Sequence, residues 1–362
     1  MITNFFDLHK ASLESFLIEK AQPKFRAMQI WQWVYNKGLQ DFSKMTNLNK
    51  SLRELLLENF SLTPPTTTKE LISLDGSRKW LLKFSDCNEI ETVFIPEKTR
   101  GTLCVSSQVG CTLTCKFCHT GTQKLVRNLT AGEIVMQLMH AKDFLQDWPS
   151  DKEGRAVSNV VMMGMGEPLL NYDNVSQAIK CMTNPDGLNI SKHKITLSTS
   201  GIVTNIERCA IDLGVNLAIS LHASNDELRN ELVPINKKYP INQLLQACSN
   251  YSKLTGNKRI TFEYVMLKGI NDTINDAKKL IELINGIPAK INLIPFNPWP
   301  GSPYECSDDI SMRKFADLVE RAGYQSPIRT PRGQDIMAAC GQLKSDSVKL
   351  RSNIESKMRC EI

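Results

Sequence analysis

A repeating alternation of strands and helices after Arg100 constrains the fold more than any other feature of the sequence. Six short apolar runs predict strands, and amphipathic helices such as Ala131–Leu145 and Ile241–Leu254 are predicted between them. Six such units favour a parallel α/β architecture, either a complete or partial barrel or a doubly wound sheet. No Gly-x-Gly-x-x-Gly opens a helix after the first strand, which disfavours a dinucleotide-binding fold. The predicted strands are Thr102–Ser107, Asn159–Met163, Lys194–Thr199, Asn216–Leu221, Arg259–Met266 and Lys290–Ile294.

The residues before this alternation have a different character. Apolar residues recur at helical spacing up to about residue 62, and from Thr66 two strands joined at Asp75-Gly76 predict a hairpin, followed by a third strand. We therefore expect an accessory region over residues 1–96, helical and then β, a core over 97–334, and a C-terminal segment over 335–362.

The loop after the first core strand is rich in cysteine. Cys111, Cys115 and Cys118 are separated by three and then two residues, and thiolates packed this tightly select zinc, copper or iron–sulfur. A structural zinc site needs four protein ligands, and His119 is poorly placed to be the fourth. Three cysteines can instead hold a four-iron, four-sulfur cluster with one iron open to a small molecule. Cysteines buried as small apolar side chains remain the plain alternative.

Small polar residues follow the other predicted core strands. Chemistry in parallel α/β folds collects at the carboxyl ends of the strands, so we expect these residues to line one pocket. Each has a plainer alternative as a tight turn or a hydrogen-bonded loop residue. The residues are Gly164, Gly166 and Glu167 after the second strand, Ser198 and Ser200 at the third, Ser220, Leu221 and His222 at the fourth, and Asn297 past the sixth.

Two further positions outside these loops draw attention. Glu91 alternates onto the same side of its strand as Val93 and Ile95. A carboxylate on an apolar face would have a raised pKa suited to accepting a proton, but the pattern alone favours an edge-strand charge facing water. Cys340 stands beside Gly341, which indicates a turn that presents the thiol.

Composition limits the compartment and the partners. The chain has 362 residues, 11 cysteines and a net charge of +6, with neither a secretory signal nor an apolar run long enough for a membrane span. A cytoplasmic location without membrane association is expected, where cysteines serve a metal in preference to disulfides. Between Lys98 and Gly132 there are five basic residues and no acidic one, and Arg329 and Arg332 lie in another acid-free stretch. This charge suits a phosphate-bearing partner such as RNA, or is a solvated surface.

The motifs occur together and in order. Cys104, the three clustered cysteines, Gly-Met-Gly-Glu-Pro, Ser-Leu-His, Asn-Pro and Ala-Ala-Cys-Gly-Gln-Leu resemble those of the RlmN/Cfr family of radical S-adenosylmethionine (SAM) adenine methyltransferases, over essentially the whole chain. The resemblance implies a partial six-unit (β/α) barrel with a helical accessory domain and a β-hairpin region. It also implies one 4Fe-4S cluster on Cys111, Cys115 and Cys118, and two SAM molecules per turnover.

The same resemblance implies roles for individual residues. Cys340 takes a methyl group from SAM, Cys104 releases the product through a transient disulfide with Cys340, and Glu91 accepts a proton. The implied substrates are an adenine in the peptidyl transferase region of 23S rRNA and one in the anticodon loop of certain tRNAs, methylated at carbon-2 by a monomer that needs an electron donor. Alternatives are Cfr-like methylation at carbon-8, methylthio transfer and a zinc-stabilised RNA-binding protein. The implied SAM contacts are Gly166, Glu167, Ser198, Ser220, Leu221, His222 and Asn297.

Overall fold

A computed structural model describes residues 2–347 of the chain. At its centre is a nine-stranded sheet in which the strands lie in their order along the chain. The first three pairings are antiparallel and the remaining five are parallel. The strands are β1 (Thr66–Ile72), β2 (Arg78–Lys83), β3 (Glu89–Pro96), β4 (Gly101–Cys104), β5 (Asn159–Met162), β6 (Ile195–Thr199), β7 (Asn216–Ser220), β8 (Ile260–Met266) and β9 (Ala289–Pro295).

Strands β4 to β9 form the parallel part, and at least one helix lies between each consecutive pair of these strands along the chain. The predicted six-unit α/β core is confirmed, with the predicted hairpin continuing the same sheet as β1 and β2. The core helices are Ala131–Phe144, Tyr172–Thr183, Val203–Asp212, Asp226–Leu232, Ile241–Leu254, Ile274–Leu283 and Asp309–Arg321.

The sequence explains why these elements form where they do. All seven residues of β8 are buried, as expected for a strand that is covered on both faces of a parallel sheet. The helix Ala131–Phe144 begins at a capping box between Thr130 and Glu133, and Ile274–Leu283 begins at one between Thr273 and Asp276. Predicted boundaries therefore lie within a few residues of the observed ones.

The N-terminal unit packs against the core through aromatic side chains. Its helices are Lys10–Glu19, Arg26–Trp31 and Lys50–Asn59, and the second continues into a π-helical turn at Gln32–Asn36. Phe5, Trp31 and Tyr35 are buried with ring centroids 4.4–6.3 Å apart. No helix within residues 2–347 is long and apolar enough to cross a bilayer.

After the last helix the chain runs along β9, at one edge of the sheet, and then extends to the hairpin of β1 and β2 at the other edge. Residues 325–329 run beside β9, with Ile291 and Leu293 donating to Gln325 and Pro327, and Arg329 donating back to Leu293. The segment that follows reaches the hairpin of β1 and β2, where Ser73 donates to Asp335 over 2.6 Å. This path carries Cys340 across the carboxyl ends of the parallel strands.

Candidate active site

The loop after β4 brings the three closely spaced cysteines together. Two short strands, Gln108–Val109 and Arg127–Asn128, pair with each other within this connection. Cys111, Cys115 and Cys118 line one cavity of about 150 Å³ at the carboxyl ends of the parallel strands. His119 does not line this cavity, because its ring stacks on Trp299 at 4.9 Å and its Nδ1 lies 3.2 Å from the carbonyl oxygen of Gln342.

Burial disfavours the ionised thiolate forms of these cysteines. Burial raises the pKa of the Cys111 thiol to about 12 and raises the pKa of Cys115 and Cys118 as well. Bound metal deprotonates thiols outright, so a metal centre is what would make these three thiolates stable.

The donor set bears on the kind of metal centre that these thiols could hold. A tetrahedral structural zinc site needs four protein ligands, and the cavity supplies three cysteines. Three thiolates can instead hold an iron–sulfur cluster with one iron free of protein ligands.

Two glycines after β5 line the cavity and pack closely against residues 105–108. A Cβ on Gly164 would lie 2.7 Å from the Ser106 hydroxyl and from the Val105 carbonyl oxygen. Gly166 has φ of +98°, and a Cβ there would lie 2.5 Å from the Gln108 side chain. Only glycine fits at these two positions, so the sequence requirement there comes from packing on the neighbouring loop.

Glu167 is buried at the rim of the same cavity. Its carboxylate accepts hydrogen bonds from the amides of Leu169 at 3.0 Å and Ser200 at 2.8 Å. Burial raises the pKa of Glu167 and these hydrogen bonds oppose the rise, with a net increase. The carboxylate therefore links the loops after β5 and β6 while facing the cavity.

The residues at the ends of β6 and β7 complete the wall. Ser198, Ser220 and His222 line the cavity, whereas Leu221 is fully buried and is not among the lining residues. His222 accepts a hydrogen bond at Nδ1 from the Val265 amide over 3.0 Å, and burial lowers its pKa to about 3. The ring is therefore neutral near pH 7, with Nε2 as its remaining donor.

A second cavity of about 480 Å³ adjoins the first, and Cys340 lines both. Cys104 lines the second cavity, so the two thiols, 236 positions apart in sequence, face one space. Desolvation raises the pKa of both thiols to about 12, although Cys340 keeps an exposed surface. Asn297, which lines both cavities, donates to the carbonyl oxygen of Cys340 over 3.1 Å.

Glu91 does not lie at a sheet edge facing water, so the interpretation favoured by its pattern is wrong. It belongs to β3, which is flanked by β2 and β4, and it is 7% exposed. Its Oε1 lies 2.8 Å from Lys79 Nζ, and its Oε2 accepts from the Lys344 amide over 2.9 Å. Burial raises the pKa of Glu91, and the contacts with Lys79 and Lys344 limit that rise.

Comparison with known proteins places the chain. Residues 3–62 match the model of the ribosomal RNA large subunit methyltransferase N-terminal domain, and residues 105–284 match that of the radical SAM superfamily. A dual-specificity RNA methyltransferase RlmN from Chelativorans sp. is 58% identical over 361 residues, 96% of this chain and 88% of that protein. The RlmN of Parvibaculum lavamentivorans is 59% identical over 94% of this chain and 88% of its own length. The chain belongs to the RlmN family.

A solved structure agrees with this assignment. A radical SAM methyltransferase from Sphaerobacter thermophilus superposes with a TM-score of 0.88 and is 42% identical, covering 94% of this chain and 99% of that one. As a member of the RlmN family, this chain is a radical SAM RNA methyltransferase. The radical SAM match begins at the cysteine loop and ends just beyond the helix Ile274–Leu283, the part of the sheet that builds most of the first cavity.

Two buried charged residues of this RlmN-family site were not identified from the sequence. Glu263 lines both cavities and accepts from the Asn292 amide group over 2.9 Å. Arg229 is fully buried and donates to the carbonyl oxygens of Ser200 and Ser220 at the cavity rim. A carboxylate in the otherwise uncharged strand of Glu263 was a usable signal, whereas the short helix of Arg229 carries several charges and gave none.

Basic side chains surround the second cavity. Arg100, Lys290, Arg329 and Arg332 line it together with Glu97 and Glu263. Arg100 is bound to Glu97 through two hydrogen bonds of 2.8 and 2.9 Å. Arg332 lies 3.9 Å from Asp75, so its charge is partly offset. Four cations against two carboxylates still give the cavity lining a positive potential suited to phosphate.

Proposed function

We propose that this chain methylates carbon-2 of a specific adenine in the peptidyl transferase region of 23S rRNA and in the anticodon loop of certain tRNAs, with the methyl group carried on Cys340. The observation that carries the proposal is the position of Cys340, which lines both the cavity of the three clustered cysteines and the cavity that contains Cys104. A thiol at this junction reaches cofactor on one side and substrate on the other.

The first cavity is the cofactor site in this proposal. Cys111, Cys115 and Cys118 would hold one 4Fe-4S cluster, since these three thiols line one cavity within the part of the chain that matches the radical SAM superfamily. The cluster with its bound SAM would supply one-electron chemistry that abstracts a hydrogen atom, and a second SAM would supply the methyl group, making two per turnover. Residues proposed to contact SAM are Gly166, Glu167, Ser198, Ser220, Leu221, His222 and Asn297.

Each contact in that set is supported to a different degree. Gly166 lines the cavity, and Glu167 and His222 offer one acidic group and one neutral ring donor at the cavity wall. Leu221 lies behind the wall, and its amide donates to the backbone carbonyl oxygen of Glu263 while its own carbonyl oxygen accepts from the Arg229 side chain. The proposed contact between SAM and Leu221 would therefore be a second hydrogen bond accepted by that carbonyl oxygen.

Cys340 and Cys104 share the covalent work. The Cys340 thiol loses its proton, and its sulfur attacks the methyl carbon of SAM and displaces S-adenosylhomocysteine, an ordinary nucleophilic substitution. After a hydrogen atom is removed from this methyl group, the carbon on Cys340 bonds to carbon-2 of adenine, and the adduct would then return one electron to the cluster as the carbon-2 proton leaves. The Cys104 thiol gives up its proton and attacks the Cys340 sulfur, the carbon–sulfur bond breaks with its electron pair on the carbon, and that carbon takes up a proton to become the methyl group of the product. Two electrons from a donor reduce the resulting disulfide. The shared second cavity is what allows the two sulfurs to meet.

Glu91 is proposed to take the proton from carbon-2. Its raised pKa, caused by burial, favours the protonated form that this step produces. One carboxylate oxygen pairs with Lys79 and the other accepts from the Lys344 amide. One of these two contacts must therefore break or lengthen when Glu91 takes up the proton.

RNA would enter from the side of the second cavity. A cavity of about 480 Å³ lies within the range of small-molecule sites and is roomy enough for a base taken out of its stack. Lys290, Arg329 and Arg332 at its mouth would bind the flanking phosphates. The proposal extends to an RNA-binding accessory region over 1–96, a core over 97–334, a C-terminal segment over 335–362, a monomer, and a cytoplasmic location. Residues after 347 lie outside the described part of the chain.

Trapping of the covalent intermediate tests these roles. Cys104→Ala purified from cells should carry RNA covalently bound through Cys340, whereas Cys340→Ala should carry none; denaturing gel shift before and after ribonuclease measures both. Absence of the adduct from both variants contradicts the roles given to the two thiols. Nucleoside mass spectrometry of the product then separates 2-methyladenosine from 8-methyladenosine. The Cfr-like alternative is not favoured, because the relatives reported above carry the RlmN name.

A further inference from the structure

The loop that carries Cys340 is bonded on both sides by one buried ion pair. Lys79 on β2 and Glu91 on β3 lie 2.8 Å apart, with side chains only 8% and 9% exposed. Lys79 Nζ donates to the carbonyl oxygen of Met337 over 2.9 Å, three residues before Cys340. Glu91 Oε2 accepts from the amide of Lys344 over 2.9 Å, four residues after it. The loop of residues 338–343 therefore has both of its ends tied to the same pair.

Strands β1 to β3 and their turns also hold the chain on either side of this loop. Gly333 donates to Asp75 over 3.0 Å at the β1–β2 turn, and the Glu89 amide donates to the Ser347 hydroxyl over 2.8 Å. Strands β1 to β3 lie outside the parallel part of the sheet. Through their contacts with residues 333–347, these three strands hold the segment that carries Cys340.

We propose that the Lys79–Glu91 pair is a clasp that fixes both ends of the Cys340 loop, and that Lys79 is a positioning residue for methyl transfer. The proposal rests on the proposed function, in which Cys340 carries the methyl group. The carbon on Cys340 has to be presented first to the cofactor cavity and then to the substrate cavity. A displacement of about 1 Å from a reactive geometry costs on the order of a hundredfold in rate, so a loop with two free ends would be a poor carrier.

The chemistry of the pair suits this task. A buried Lys–Glu pair gains little net stability compared with apolar residues, because desolvation of both charges offsets their attraction. Such a pair is therefore explained better by what it orients than by what it stabilises. Each member uses its remaining hydrogen-bonding capacity on the loop, Lys79 as a donor to a carbonyl oxygen and Glu91 as an acceptor from an amide.

Hydrogen exchange of the full-length protein, without SAM or RNA, tests the clasp directly. Lys79→Met should raise amide exchange in residues 338–345 by about tenfold, since one charge-assisted hydrogen bond and its pairing are lost. Lys79→Arg should restore exchange to nearly the wild-type rate. Because Lys79→Met leaves a buried carboxylate without its partner, the double variant Lys79→Met/Glu91→Gln provides a version with neither charge. Lys98→Met, at an exposed position between β3 and β4, is the matched control and should leave exchange unchanged.

A kinetic measurement separates positioning from general stability. With tRNA as substrate, Lys79→Met should lower kcat about tenfold while KM stays within about twofold of wild type, and Lys79→Arg should recover most of kcat. Unchanged exchange at 338–345 in both Lys79→Met and the double variant would overturn the clasp. If exchange responds as expected but wild-type Cys340 is never methylated by SAM, as peptide mass spectrometry would show, the proposed function fails and the clasp stands.

Discussion

Replacing Arg229 with methionine should weaken both the fold and the cofactor site, because this side chain joins three loops. Its guanidinium donates to the carbonyl oxygens of Ser200, Ser220 and Leu221 at 2.8–3.0 Å, and to the side-chain oxygen of Asn236 at 2.7 Å. Burial lowers the pKa of Arg229 to about 10, which leaves it charged at neutral pH.

The size of the effect follows from the acceptors left behind. Methionine fills part of the volume but offers no donor, so four acceptors lose their partner at about 1 kcal/mol each, the low end for buried groups. We expect the free energy of unfolding to fall by about 4 kcal/mol. Because Ser200 and Ser220 lie at the wall of the first cavity, SAM affinity should fall by at least about tenfold in protein that remains folded.

Urea unfolding measures the first effect, and calorimetric titration with SAM at low urea measures the second. Arg208→Met is the matched control, since Arg208 is half exposed and pairs with the largely exposed Asp173 at 3.1 Å. This control should change stability by less than about 1 kcal/mol. A loss in Arg229→Met no larger than in the control would refute the assignment of Arg229 as the link between the strand ends.

Three further predictions concern single residues. Gly166→Ala should abolish measurable SAM binding, because φ is +98° and the new Cβ would lie 2.5 Å from Gln108, whereas Gly269→Ala, with φ of +68° and open space, should cost only about 1 kcal/mol of unfolding free energy and leave binding intact. Arg332→Gln should weaken tRNA binding and reduce the slope of log affinity against log salt by about 0.7 to 0.9, while Lys278→Gln, on an exposed position of the helix Ile274–Leu283, should leave the slope unchanged. Burial alone would raise the pKa of Asp75, but hydrogen bonds from Ser77 and the Gly333 amide lower it to about 2, so its stabilising contribution is present above its unfolded pKa and is lost as pH falls toward 2; between pH 5 and pH 3 wild type should lose about 1 kcal/mol more than Asp75→Asn in urea unfolding.

Much of the fold was accessible from the sequence because local periodicity and global topology agree. Apolar runs of four to seven residues give β5 to β9, and two of the core helices begin at capping boxes, at Thr130 and at Thr273. In a parallel sheet, this alternation alone places every strand's carboxyl end at one edge. The predicted cavity residues Ser198, Ser220 and His222 therefore lie together for a reason that needs no long-range information.

Residues whose environment is made by distant segments were not accessible in the same way. Glu91 alternates with apolar neighbours in its strand, and this pattern is equally compatible with an edge strand and with an internal strand. Its burial depends on β2 and β4 lying on either side, and its partner Lys79 comes from the neighbouring strand of the hairpin. Local patterns carry no information about which strand of an antiparallel extension becomes internal, so the interpretation of an exposed charge failed there.

The same contrast explains why the thiols and the clasp differ in how they could be found. Cys340 is recognisable from its own neighbours, because a thiol beside glycine marks a turn, but its function depends on a position 236 residues away in sequence. The loop that carries Cys340 is held in part by residues with no distinctive local signal, Lys79 and Glu91, through contacts to backbone groups of Met337 and Lys344. Backbone contacts place no constraint on the side chains they reach. The reactive residues of this site can therefore be recognised from the sequence. The position of the Cys340 loop depends in part on the Lys79–Glu91 ion pair, which is brought beside that loop only when the chain folds.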